Sequence, residues 1–137
     1  MLKRRYEFRA EFFDSDPMGI MWHGNYVKYL EMARCRLFDE MDFNYIKMQN
    51  SGFTLPIIKM DIKYINPIYF NDDFIVEINL LDCDITLKFN YILLNKDKII
   101  SKASTTQVAV TLDKQTLYSI PENLKSALLV ENQNIFF

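Results

Sequence analysis

From Tyr6 the chain alternates: Tyr6, Phe8, Ala10 and Phe12 are apolar, and Glu7, Arg9 and Glu11 between them are charged. That period of two predicts a strand over 6–13 with one wet face. The period then changes. Tyr26, Leu30, Ala33, Leu37 and Met41 recur at steps of three or four, which predicts a long helix ending near Met41 with these side chains on one face. A short second helix is read over Phe43–Gln49, before a turn at Asn50-Ser51-Gly52. From Ile57 the alternation returns, with Ile58, Met60, Ile62 and Tyr64 on one side and Lys59, Asp61 and Lys63 on the other. Pro67 and Asn71-Asp72-Asp73 interrupt it. Further strands are expected over Phe74–Leu81, Ile85–Leu93 and Ile99–Leu112, with turns at Asp82-Cys83-Asp84 and Asn95-Lys96-Asp97-Lys98. Pro121–Val130 predicts a terminal helix, with proline at its first turn.

A strand, a long amphipathic helix and then consecutive strands on short turns give the α+β class. Such a sheet can bury the stripe of Tyr26, Leu30 and Leu37 by curling around the helix. At ~25 cal/mol per Å² of apolar area, that stripe is worth several kcal/mol.

Between the first strand and the long helix lies a loop, Asp14 to Trp22. Pro17 and Gly19 break any regular period there and hold two acids beside apolar residues. The only histidine, His23, stands at the mouth of the helix. Gly24 and Asn25 suit a helix start: Asn can accept a bond from a first-turn amide, and Gly takes unusual dihedrals cheaply. The free amides of a helix N-terminus carry partial positive charge and can polarise a carbonyl. A carboxylate-bearing loop beside such a terminus is half of an acyl-transfer site.

The run Asp14-Ser15-Asp16-Pro17-Met18-Gly19-Ile20-Met21-Trp22-His23-Gly24-Asn25-Tyr26 resembles the signature of hotdog-fold acyl-CoA thioesterases. Within them it looks most like the 4-hydroxybenzoyl-CoA thioesterase group, which includes the Tol-Pal-associated bacterial enzymes. The pattern D-x-D-x-x-G-x-x-x-H/Y-x-N-Y is matched at every fixed position, and the similarity continues to about Leu112. The resemblance implies a hotdog fold, an antiparallel sheet of about five strands wrapped around a long central helix. It also implies a place in lipid metabolism and a homodimer or dimer-of-dimers (homotetramer) with active sites at the subunit interface. Edge pairing in such an assembly would cover free strand edges.

Composition narrows the picture further. Half of the 137 residues are apolar, enough for one core, and nothing marks a second domain, so 1–137 is read as a single unit. A net charge of −2 gives no electrostatic reason to expect nucleic acid or an anionic membrane. Lys3, Arg4 and Arg5 precede no apolar run, so no signal peptide is expected, and no stretch reaches the ~20 apolar residues of a membrane span. Cys35 and Cys83 lack metal-ligand spacing and are read as reduced thiols of a cytoplasmic protein.

The resemblance makes Asp16 the catalytic carboxylate, either nucleophile on the thioester carbon or base toward water. The plain alternative is that Asp16 only caps the turn before Pro17. Asp14 is read as orienting the loop. His23 is expected to act through its backbone amide, which binds the thioester oxygen, with a side-chain role open. A serine triad through Ser15 is discounted, since no nucleophile elbow is present. A metal site from Asp14, Asp16 and His23 is discounted because no further histidine completes it, and no cofactor is expected. Substrate-binding candidates are Trp22, Gly24, Asn25, Tyr26, Pro56, Ile57 and Lys59, with apolar walls for the acyl group and lysines (Lys59, Lys63, Lys88) for CoA phosphates. Glu31 lies off the apolar helix face, which favours the loop acid. The hairpin Asp82-Cys83-Asp84-Ile85-Thr86 is acidic where the hydroxybenzoyl enzyme is basic, which leaves CoA or acyl carrier protein as the thiol carrier. The reading from sequence is an acyl thioesterase, with a non-catalytic acyl-binding or scaffold protein as the alternative.

Overall fold

The computed structural model describes residues 2–133. Strands β1 (Lys3–Arg9), β2 (Phe53–Thr54), β3 (Ile57–Tyr64), β4 (Asp73–Cys83), β5 (Leu87–Asn95), β6 (Lys98–Gln107) and β7 (Val110–Thr111) accompany three helices. These are α1 (Asn25–Glu40), α2 (Tyr45–Asn50) and α3 (Glu122–Gln133). Five strands form one antiparallel sheet in the order β1-β4-β5-β6-β3, and β2 pairs with β7 separately.

Register puts the apolar positions of the large sheet on one face. Phe8 faces Phe74, Tyr6 faces Val76, Ile78 faces Tyr91 and Leu80 faces Phe89, all of them buried. The helix α1 lays Tyr29, Leu30, Ala33, Leu37 and Phe38 against this face. Aromatic contacts fix the match: Phe8 and Tyr29 centroids are 5.3 Å apart, Tyr29 and Phe74 4.9 Å, and Phe38 and Phe89 6.2 Å. Each fully buried Leu or Phe contributes ~1.5–3 kcal/mol, so this seam holds the helix in place.

Arg34 is drawn into the same core, 1% exposed. Its guanidinium donates to Tyr45 Oη and Tyr91 Oη, both at 3.0 Å, and to Glu31. Tyr91 and Thr105 share a further bond of 2.7 Å. Burial opposes the cation, yet Tyr91, Tyr45 and Glu31 outweigh it and raise the arginine pKa. Glu31, off the apolar face as read from sequence, is therefore the counter-ion of a buried arginine.

Two predicted strands end early. β1 stops at Arg9 because Ala10 pairs instead with the turn at Asn71 and Asp72. The chain then tightens into a 3₁₀ turn, Phe12–Asp14, and Phe12, expected on the inner side, is 76% exposed. The predicted strand 99–112 breaks after Gln107: Val108 N donates to Pro56 O at 3.3 Å, and β7 takes β2 as partner. The acidic hairpin is tied to α3, with Lys125 Nζ 2.9 Å from Asp84 Oδ1 and Ile120 N 2.7 Å from Asp84 O. No helix among the described residues is long and apolar enough to cross a membrane.

Candidate active site

The loop between the 3₁₀ turn and α1 is built around Asp14, which is fully buried. Its carboxylate accepts from Glu11 N at 3.0 Å and from Lys28 Nζ and Tyr29 Oη on the first turns of α1. Burial pushes the Asp14 pKa up, but the bonds from Lys28, Tyr29 and Glu11 together outweigh it and leave the carboxyl below its ordinary range. The Asp14 carbonyl accepts from Trp22 N at 2.9 Å and Asn25 Nδ2 at 2.8 Å. One residue thus ties the loop to the helix through both its side chain and its backbone.

Anchored there, residues 16–20 fold back as a tight turn. Asp16 N donates to Ile20 O at 2.8 Å, Gly19 N to Asp16 O at 3.0 Å, and Ser15 bridges Met21. Gly19 has φ +81°, a left-handed conformation that L side chains rarely adopt. Asp16 is half-buried. Met18 N donates to its Oδ1 at 2.8 Å, and among the described residues nothing donates to Oδ2. The turn-capping role weighed from sequence is therefore present, and it occupies one oxygen of the two.

A pocket of about 290 Å³ opens beside that carboxylate. Its walls are Asp16, Met18, Ile20 and Met21 from the loop, His23 and Tyr26 from the helix mouth, and Tyr64, Ile65, Asn66 and Pro67 from the end of β3. The His23 side chain is exposed, and among the described residues no group accepts from the His23 backbone amide. Tyr26 is buried and meets Tyr64 edge to face at 4.8 Å. Burial, with Tyr64 adding to it, raises the Tyr26 pKa and keeps the phenol neutral. Among the described residues no three His, Cys, Asp or Glu side chains cluster as metal ligands would.

The Thioesterase-like superfamily matches residues 11–128. The chain belongs to that superfamily. A protein of Aquifex aeolicus, provisionally described as an esterase, is 32% identical over 124 residues, covering 90% of this chain and 95% of the relative. The acyl-CoA thioesterase YbgC of Haemophilus influenzae is 24% identical over 133 residues, covering 93% of this chain and 96% of that one. The crystal structure of a hypothetical protein from Aquifex aeolicus superposes with a TM-score of 0.86 at 30% identity, covering 91% of this chain and 98% of that one. The five-stranded antiparallel sheet with its helices is the hotdog-like α+β arrangement of the Thioesterase-like superfamily.

Of the residues named from sequence, Asp16, His23 and Tyr26 line one pocket. Trp22, 49% exposed, precedes His23 in the chain and does not line the pocket; its ring packs on Gly24 so closely that a Cβ there would lie within 2.8 Å of three ring carbons. Gly24 has an ordinary φ of −70°, so glycine here supplies room for the Trp22 ring and not dihedral freedom; a larger residue would have to displace that ring. Asn25 does not cap α1 as an acceptor. The N-cap is Gly24 with no side-chain bond, and Asn25 donates back to Asp14 O. Pro56, Ile57 and Lys59 are not brought to this pocket in the single chain. They lie at the opposite end of β3 from Tyr64, roughly 20 Å away at ~3.3 Å per residue. Lys59 and Lys88 instead border a hollow of about 350 Å³ on the outer sheet face.

Sequence reading missed the third wall of the pocket. Tyr64 Oη donates to His23 O at 2.8 Å. The only signal for it was its place as the last aromatic of an alternating strand just before Pro67.

Proposed function

We propose that this member of the Thioesterase-like superfamily hydrolyses the thioester of an acyl-CoA, with Asp16 as the reacting carboxylate and the His23 amide as oxyanion donor. One observation carries the reading: an Asp16 side chain with an uncommitted oxygen and a helix-mouth residue with an uncommitted amide border the same apolar-walled pocket. The full-length likeness to an acyl-CoA thioesterase of Haemophilus influenzae supports it.

A thioester carbonyl placed between them would point its oxygen at the His23 amide, where the dipole of α1 adds to the stabilisation of developing negative charge. Two routes use the same geometry. In one, Asp16 Oδ2 adds to the carbonyl carbon, the C–S bond breaks, CoA thiolate leaves, and water cleaves the resulting mixed anhydride to acid and free Asp16. In the other, Asp16 takes a proton from water as that water adds, and the departing thiolate receives the proton. Met18, Ile20, Met21 and Tyr26 form the wall for the acyl group.

The reading extends the fold to a hotdog with α1 as its central helix, and the molecule to a homo-oligomer. Phe12 and Phe13 in the 3₁₀ turn before the loop and Met18 in the pocket wall are each at least 74% exposed, an apolar rim suited to cover by a second copy. A hydroxybenzoyl substrate is not adopted, because the hairpin that would need to be basic is acidic and Asp84 is already held by Lys125.

Asp16→Asn keeps the shape and removes the charge. The expected loss in kcat for thiol release from acyl-CoA is ~10²–10⁴-fold. A folded variant with near wild-type turnover sinks the assignment. Label found in the Asp16 side chain after single-turnover hydrolysis in labelled water identifies the first route, since only the anhydride can place it there.

A further inference from the structure

Two peptide groups meet at the α-carbon of His23, and each has its carbonyl tied. Trp22 O accepts from Asn25 N at 2.9 Å, the turn that starts α1. His23 O accepts from the Tyr64 hydroxyl at 2.8 Å, across 41 residues of chain. In a trans peptide the N–H points opposite to the carbonyl of the same plane. Fixing the Trp22 carbonyl therefore fixes the direction of the His23 N–H, and fixing the His23 carbonyl fixes that of the Gly24 N–H. The first tie is local to the helix. The second is made by a side chain from the last residue of β3, and nothing else among the described residues donates to that oxygen.

Tyr64 is itself held. Its ring meets Tyr26 at 4.8 Å and 88°, and His23 at 6.3 Å and 84°, both edge to face. Burial raises its pKa, so the hydroxyl stays a donor. A hydrogen bond to a carbonyl also polarises its peptide group and strengthens the N–H on the far side.

We infer that Tyr64 is a positioning residue for oxyanion stabilisation: its hydroxyl locks the peptide between His23 and Gly24 and so holds the Gly24 N–H, next to the His23 amide, in the direction that a developing oxyanion requires. This rests on the thioesterase reading above. Positioning of this kind acts in the transition state and not on ground-state binding, so it belongs in kcat.

The test is Tyr64→Phe, which removes one oxygen and keeps the ring. Hydrolysis of an acyl-CoA by wild type and variant is expected to differ roughly tenfold in kcat, the worth of one such hydrogen bond, with KM within about twofold. Tyr64→Leu, which also removes the pocket wall, is expected to raise KM as well. Amide NMR of the variant supplies a readout independent of turnover: the Gly24 nitrogen resonance moves as its peptide loses the bond, while resonances in β4 and β5 stay. Equal kcat for wild type and Tyr64→Phe overturns the inference and leaves the thioesterase reading intact. So does an unmoved Gly24 resonance. A wild-type protein that releases no thiol from any acyl-CoA overturns both.

Discussion

Asp14 and Asp16 are two residues apart and chemically identical, and the fold gives them opposite environments. Asp14 is sealed under the helix with three donors, whereas Asp16 keeps one oxygen toward the pocket. Asp14→Asn leaves Lys28 and Tyr29 facing a neutral amide and is expected to cost roughly 2–4 kcal/mol of stability, read as a lower Tm. The pH dependence follows from its depressed pKa. The contribution is complete above the ordinary carboxylate range and disappears as pH falls through the lower folded value. The Tm gap between wild type and Asp14→Asn should therefore be wide at neutral pH and close in strong acid. A gap that stays constant across that range would remove Asp14 from the account. The sequence showed both acids and the turn residues around them. It could not show which acid is buried, because that depends on Lys28 and Tyr29 arriving from a helix not yet packed.

At the level of elements, α1 carries the most information that periodicity could read and one thing it could not. Tyr26, Leu30, Ala33 and Leu37 are buried as their spacing required. Arg34 breaks the pattern: a cation inside the apolar seam, made tolerable by two tyrosine hydroxyls from other elements and by Glu31 one turn back. Glu31→Gln takes away the only formal negative charge within reach of that guanidinium among the described residues. Because the Glu31 side chain is 47% exposed and screened by water, the expected loss is modest, about 1–2 kcal/mol by chemical denaturation. Unchanged stability would mean that the tyrosines alone satisfy the arginine. The strands were legible from alternation, but their ends were not. β1 and β6 stop where a different partner, the 71–72 turn or Pro56, takes over the backbone bonds, and a single-strand pattern holds no record of its partner.

Over the whole molecule the sequence conveyed the class and the loop-to-helix junction, and missed the contribution of β3 to the pocket. Tyr64 is 38 positions from Tyr26, and only the path of the chain through α1, α2 and the start of β3 brings the two rings together. The apolar rim has a consequence at this scale. Phe12 meets Phe70 edge to face at 5.7 Å, and both remain open to solvent. Sedimentation is expected to show a dimer or tetramer, and Phe12→Ser combined with Phe70→Ser should shift the population toward smaller species. A wild-type chain that sediments as a monomer at high concentration would rule out the assembly.

The clasp between α3 and the hairpin tip reaches further than one ion pair. Leu124 and Leu128 are wholly buried, so the terminal helix closes the core at the same place where Lys125 and the Ile120 amide grip Asp84. An engineer who trims the protein back to Pro121 would uncover greasy ground and leave the β4–β5 bend with the Ile120 amide as its one remaining hold on Asp84.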